Sequence, residues 1–188
     1  DRLPLVLTRP FNYTGPGQNV NFVIPKLVDH FARSAPSIAL GNLHVEREFN
    51  DVQMVRAAYL QLLQHGEPGE TYNVCSGQPY TLQHVIDTLA RITGHAMKVE
   101  VNPAFVRANE VHRLCGNPAK LQALLTRQGC ALHNPLREDT LQRMLILSQG
   151  EAVSADTVRL CLPHWDGSTS NPANFAAHTA RPAAAPPP

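Results

Sequence analysis

Between Leu3 and Leu147 the apolar positions of this chain switch repeatedly between a strand rhythm and a helix rhythm. The opening run, Leu3 to Thr8, is apolar and β-branched, which predicts a short buried strand. A polar, glycine-punctuated turn follows. Val20, Val23, Ile24, Leu27, Val28 and Phe31 then recur at helical spacing and predict a helix from about Asn21 to Arg33. Pro25 falls in its first turn, where the missing N–H has no helical partner to lose. The stretch "IALGNLHVEREF" predicts two extended pieces paired as a hairpin about Gly41-Asn42. Asp51 is placed to cap the next helix, whose Val52, Val55, Tyr59 and Leu62 make one stripe, and Gly66 to end it.

The second half repeats the alternation. "ETYNVCSG", Glu70 to Gly77, predicts another buried strand, and Thr81 caps a helix carrying Leu82, Val85, Ile86 and Leu89 that stops at Gly94. "KVEV", Lys98 to Val101, alternates as a short strand does. Asn117-Pro118 and Asn134-Pro135 each offer a capping side chain followed by a proline suited to a first helical turn. Leu121, Leu124 and Leu125 give the first of these helices an apolar face, and Leu141, Met144 and Leu145 the second. Strands alternating with amphipathic helices define an α/β fold. After Leu147 the periodicity lapses into an Ala/Pro-rich end, so residues 1–149 are expected to form the folded portion and 150–188 a disordered tail with Trp165 as an isolated anchor.

Charge and composition exclude more than they suggest. A formal net charge of +1 and the lack of a basic run argue against nucleic-acid binding. No run nears the roughly 20 apolar residues of a membrane helix, so no membrane partner is expected. Cys75, Cys115, Cys130 and Cys161 form no Cys-x-x-Cys pair, and reduced thiols of a cytoplasmic protein are the expectation. The nine histidines include no pair at i, i+4, which argues against a metal centre; His84, His95 and His133 read as structural residues. The chain begins with Asp, and one opening strand does not make a sheet, so further strands are expected before Asp1.

Four segments in the right order carry a resemblance: the opening "LVLTRPFNYTGPGQNVNFVIPKLV", "LGNLHVEREFNDV", "GETYNVCSGQPYTLQHVIDTL" and "NPAFVRANEVHRLCGNPAKLQALL". Together they resemble the C-terminal half of the extended short-chain dehydrogenase/reductases, in the branch of the GDP-mannose 4,6-dehydratases and GDP-6-deoxy-D-mannose reductases. The resemblance implies the last strands of an NAD(P)-binding Rossmann-type sheet plus a small mixed substrate-binding domain. It implies NADP, bound mainly by an N-terminal half with a glycine-rich fingerprint and a Tyr-xxx-Lys pair. None of Tyr13, Tyr59, Tyr72 and Tyr80 has Lys four positions later, and Gly66 and Gly69 precede a strand rather than joining strand to helix. The expectation is therefore a substrate-binding half, inactive alone, of an enzyme acting on a GDP-sugar. "TRPFNYTGPGQ" and "VEREFNDV" look nearer to the reductase than to the dehydratase; the dehydratase or another nucleotide-sugar epimerase/dehydratase is one alternative, and a non-catalytic truncated or frameshifted remnant the other.

By the same resemblance Arg47 contacts the diphosphate, for which a planar cationic fork is suited, although it could instead pair with Glu46 or Glu48. Arg107 and Glu110, three apart, converge on the nucleotide if the segment makes a helical turn; Arg113 competes for that role, and a local salt bridge is the plain alternative. Val23 and Lys26 contact the nucleotide, or else lie in core and solvent. Asn12 contacts the sugar diphosphate, or is ordinary turn chemistry. Phe11 and Tyr13 approach the nicotinamide end of NADP. No residue of the chain is expected to be catalytic, and the parent enzyme is expected to be a homo-oligomer.

Overall fold

A computed structural model of the chain describes residues 3–106, 109–130 and 137–148. These residues form, in order, β1 (Leu7–Pro10), β2 (Tyr13–Thr14), α1 (Val23–Ala32), β3 (Ser37–Leu40), β4 (Glu46–Glu48), β5 (Asn50–Asp51), α2 (Val52–His65), β6 (Thr71–Val74), β7 (Pro79–Thr81), α3 (Leu82–Thr93), β8 (Lys98–Val101), a single 3-10 turn (Pro103–Phe105), β9 (Arg113–Leu114), α4 (Ala119–Arg127) and α5 (Glu138–Ser148). Arg107, His133, Asn134-Pro135, Cys161, Trp165 and the expected tail lie outside the described residues.

The helices follow from local chemistry. Asp51 accepts from the Gln53 N–H at 2.7 Å to cap α2, and Thr81 accepts from the His84 N–H at 3.1 Å to cap α3. Asn117 caps the start of α4 through the Ala119 N–H, with Pro118 just ahead of the helix. Gly94 closes α3 at φ 67°. The α3 stripe Leu82, Val85, Ile86 and Leu89 is buried as its period requires. In α2 the buried face is Met54, Val55, Ala58 and Leu62, whereas Tyr59, expected on the stripe, is exposed. Helix α1 is shorter than expected and keeps Pro25 in its first turn.

Strand partners come from far along the chain. β1 pairs in parallel with β6, β2 with β5, and β3 with β8, while β4 lies between antiparallel β7 and parallel β9. The expected hairpin about Gly41-Asn42 does not form, because β3 and β4 belong to different sheets. The opening strand is displaced as well: its ladder runs from Leu7 to Pro10 rather than from Leu3 to Thr8, and all four residues are exposed. β6 alternates buried Tyr72 and Val74 with half-buried Thr71 and Asn73, so it is covered more on one face than a fully buried strand would be.

Two apolar cores result. One joins α1, α3 and α5 with β3 and Phe49; the other joins α2, β6 and α4, with Val6 packed against it. The segment Glu48–Asp51 runs between them. The Asp51 carboxylate, 1% exposed, caps α2 and also accepts from Thr140 Oγ1 (2.7 Å) and Arg143 Nη2 (3.0 Å) on α5. Among the described residues no helix is long and apolar enough to cross a membrane, and no cluster of three or more His, Cys, Asp or Glu could hold a metal ion.

Candidate functional site

Strand β4 reads Glu-Arg-Glu, and its alternation puts Arg47 on the face opposite Glu46 and Glu48. Arg47 turns toward a cleft of about 720 Å³ whose walls come from the β1–β2 junction, the start of α1, the Gly41-Asn42 turn, β4 and the 3-10 turn. Phe11, Asn12, Tyr13, Val23, Arg47 and Glu110 all line it. Six of the eight residues singled out from sequence thus share one cavity.

Arg47 and Glu110 are the charged residues of its lining among the described residues. Their side chains are 19% and 21% exposed, and Arg47 Nη2 stands 3.6 Å from Glu110 Oε1. Neither Glu46 nor Glu48 offers Arg47 a side-chain partner; its Nη1 donates instead to the carbonyls of Glu46 (2.8 Å) and His112 (3.3 Å). Those bonds fix the fork while leaving the Nε and Nη2 donors without a hydrogen bond among the described residues. Glu110 Oε2 is buried and likewise has no hydrogen-bond donor among them. Arg113, the competitor for this role, is more exposed and pairs with Glu46 at 3.3 Å.

Asn12 is held by its own carbonyl, which accepts from both the backbone N–H (2.9 Å) and the side-chain amide (3.1 Å) of fully buried Asn50. Its side chain has no hydrogen-bond partner among the described residues and lines the cleft. The Phe11 ring is backed by Gly116, where a Cβ would lie 2.7 Å from ring carbons and 2.6 Å from Cys75 Sγ. Only glycine allows that approach. Val23 both lines the cleft and packs on the first core, so its two sequence readings are compatible. Lys26 does not line the cleft: its Nζ donates to the Ala39 carbonyl (3.2 Å) and lies 5.7 Å from the centroid of the lining ring Phe105. Arg107, expected to converge with Glu110, lies outside the described residues.

Sequence reasoning missed the supporting residues. Glu48, 1% exposed, accepts at Oε2 from the Ser76 N–H (2.8 Å), the Ser76 hydroxyl (3.0 Å) and the Gly77 N–H (3.2 Å), and at Oε1 from the Gly116 N–H (2.5 Å). The signal was present in the strand itself, since three consecutive charged residues in a period-2 element cannot all face water. Burial, and then the Glu48 charge and Cys115, push the neighbouring Cys75 thiol up to about 12. His95 Nε2 meets the Ala35 carbonyl at 2.8 Å, and His84 stacks on Tyr80.

The strand–turn–helix architecture is that of the Rossmann-type extended short-chain dehydrogenase/reductases. Residues 1–127 match the family model for GDP-mannose 4,6-dehydratase, and the chain belongs to that family. It is 41% identical over 122 residues to GDP-6-deoxy-D-mannose reductase of Pseudomonas aeruginosa, covering 62% of this chain and 40% of the relative. It is 35% identical over 121 residues to GDP-6-deoxy-D-talose 4-dehydrogenase of Aggregatibacter actinomycetemcomitans, covering 64% and 41%. The structure of RMD from Pseudomonas aeruginosa in complex with NADPH is similar, with a TM-score of 0.70 and 34% identity over 78% of this chain and 48% of that one. The chain therefore spans less than half the length of these relatives.

Proposed function

We propose that residues 1–149 are the sugar-nucleotide-binding portion of an NADP-dependent enzyme acting on GDP-sugars, and that the reaction served is reduction of the C4 ketone of GDP-4-keto-6-deoxy-D-mannose. The reading is carried by the convergence of Asn12, Val23, Arg47 and Glu110 on one cleft of about 720 Å³, within the range of small-molecule sites. The 41% identity to GDP-6-deoxy-D-mannose reductase supports the choice of reaction.

In this reading the Nε and Nη2 donors of Arg47 grip a diphosphate oxygen pair, for which the planar fork is suited. The incoming dianion displaces Glu110 from Arg47 by like-charge repulsion. The released carboxylate then accepts from ribose hydroxyls or guanine N–H groups, which also satisfies its unpartnered oxygen. Asn12 bonds the sugar diphosphate, and Lys26 adds positive charge at the nucleotide end. Phe11 and Tyr13 make an aromatic wall that fits the flat nicotinamide of NADP, with Phe11 braced from behind by Gly116. A nicotinamide cofactor supplies hydride when bound; the residues of this chain bind the GDP-sugar, orient its ketone and shield it from water. The proton donor and the cofactor's phosphate cradle are assigned to sequence outside this chain, as is the homo-oligomer contact. A second reading, oxidation and reduction at C4 of a GDP-6-deoxy-talose sugar, is favoured by the 35% identity to the talose dehydrogenase and uses the same cleft roles.

The purified chain is expected to be stabilised by GDP in a thermal-shift titration, and Arg47→Ala to weaken GDP binding by roughly ten- to a hundredfold through the loss of charge-assisted hydrogen bonds. An equal response in wild type and variant would remove Arg47 from the site. The chain alone is expected to show no NADPH-dependent reduction of the 4-keto sugar. Turnover by it would refute the assignment of the redox half to other sequence.

A further inference from the structure

Phe105 is a large aromatic side chain 54% exposed at the rim of the cleft, and none of the roles above uses it. An exposed phenylalanine on a loose loop would mean little, but this one is held firmly. Its 3-10 turn is capped by Asn102, whose Oδ1 accepts from the Ala104 N–H at 2.9 Å. The turn closes through Phe105 N–H to the Asn102 carbonyl (3.0 Å) and Val106 N–H to the Pro103 carbonyl (3.1 Å). Asn102 N–H donates to the Leu40 carbonyl at 2.8 Å, extending the β3–β8 ladder to the foot of the turn. Gly41 lets the turn come close, since a Cβ there would stand 2.8 Å from the Phe105 carbonyl oxygen. Lys26, anchored on Ala39, stands over one face of the ring at 5.7 Å from its centroid, which leaves the opposite face for a base. The chain has thus fixed an apolar plane at the edge of the cleft, with a cation over one of its faces. Such a plane matches the π-face of a nucleobase, which gains from stacking without needing hydrogen bonds from the ring.

We propose that Phe105 is the nucleobase platform of this cleft, on which the purine ring of a nucleoside diphosphate group stacks while the diphosphate reaches Arg47. The inference rests on the sugar-nucleotide reading above and adds a specificity-determining residue to it. Because a bicyclic purine covers more of the ring than a pyrimidine does, Phe105 favours purine over pyrimidine diphosphates.

The test is calorimetric titration of the full chain with GDP, UDP and inorganic pyrophosphate, in wild type, Phe105→Ala, Phe105→Leu and Phe105→Tyr. Stacking is worth enough that Phe105→Ala should lose roughly ten- to a hundredfold in GDP affinity, less for UDP and nothing for pyrophosphate. Phe105→Tyr should restore GDP binding, and Phe105→Leu, apolar but not planar, should not. GDP bound equally well by wild type and Phe105→Ala overturns the platform while leaving the nucleotide site standing. Parallel loss of GDP and pyrophosphate also overturns it, since the ring would then act through the shape of the cleft. A wild-type chain that binds pyrophosphate but not GDP, or neither, removes the sugar-nucleotide reading itself, and the platform with it.

Discussion

Glu48 sits one residue from Arg47 and faces the opposite way, with both carboxylate oxygens committed to donors on two distant turns. A buried carboxylate is tolerable only when its lone pairs are filled, and here the backbone fills them. Glu48→Ala would strand three backbone N–H groups and is expected to cost about 3 kcal/mol or more, read as a lowered midpoint in urea unfolding. The same carboxylate helps hold the Cys75 thiol at about 12, after burial, so Cys75 stays protonated near neutral pH. In the native protein near pH 8, iodoacetamide should modify Cys75 at least about tenfold more slowly than Cys130, as followed by mass spectrometry. Glu48→Gln should narrow that gap, because it removes the charge while keeping the shape.

At the scale of elements, α5 is tied to the rest of the fold by polar contacts as well as by its apolar face. Asp51→Ala would remove the α2 cap and two hydrogen bonds to α5 together, with an expected loss of roughly 2–4 kcal/mol in chemical denaturation. The exposed link from α3 to α5 is bidentate, Arg91 to Glu138 at 2.9 and 2.7 Å. The hydrogen bond from Arg91, helped by its charge, holds the Glu138 carboxyl below its ordinary 4.5 and outweighs the opposing desolvation. A carboxylate depressed in the folded state stabilises it above the ordinary pKa and loses that contribution as pH falls through the folded value. Hydrogen-exchange protection factors in α5 should therefore decline on acidification below about pH 4.5, and Glu138→Gln should lack that step while starting from lower protection at neutral pH.

The helices and their caps were legible in the sequence because Asp51, Thr81 and Gly94 act on neighbours within a few residues. Strand partners were not. The turn at Gly41-Asn42 has hairpin composition, yet Ser37 finds its partner at Lys98 and Arg47 at Tyr80, positions that local pattern cannot specify. For the cleft, the resemblance pointed to Asn12, Val23, Arg47 and Glu110, and geometry added the direct Arg47–Glu110 contact. Glu48, Asn50 and Phe105 escaped because their roles depend on atoms contributed by remote turns.

For the described unit as a whole, the notable surface is at β1. Leu3, Leu5 and Leu7 are 79%, 62% and 55% exposed, and among the described residues β1 has a single ladder partner, β6. An apolar strand with an unpaired edge is a template for further pairing. The isolated chain is expected to self-associate with rising concentration in sedimentation velocity, and Leu5→Lys to shift it toward monomer without lowering its unfolding midpoint. A wild-type chain that stays monomeric at high concentration would show this edge to be protected.

The long-range ladders also set a timetable. Asn12 and Arg47 leave the ribosome before Glu110, which follows Asn12 by about a hundred residues, roughly 5–20 s of translation. Until it arrives, the guanidinium has no carboxylate to offset it and β3 has no β8 to lie against. The nascent chain therefore passes through an interval as an incomplete cup, and its cleft closes only after Leu114, the last residue of the lining, has left the ribosome.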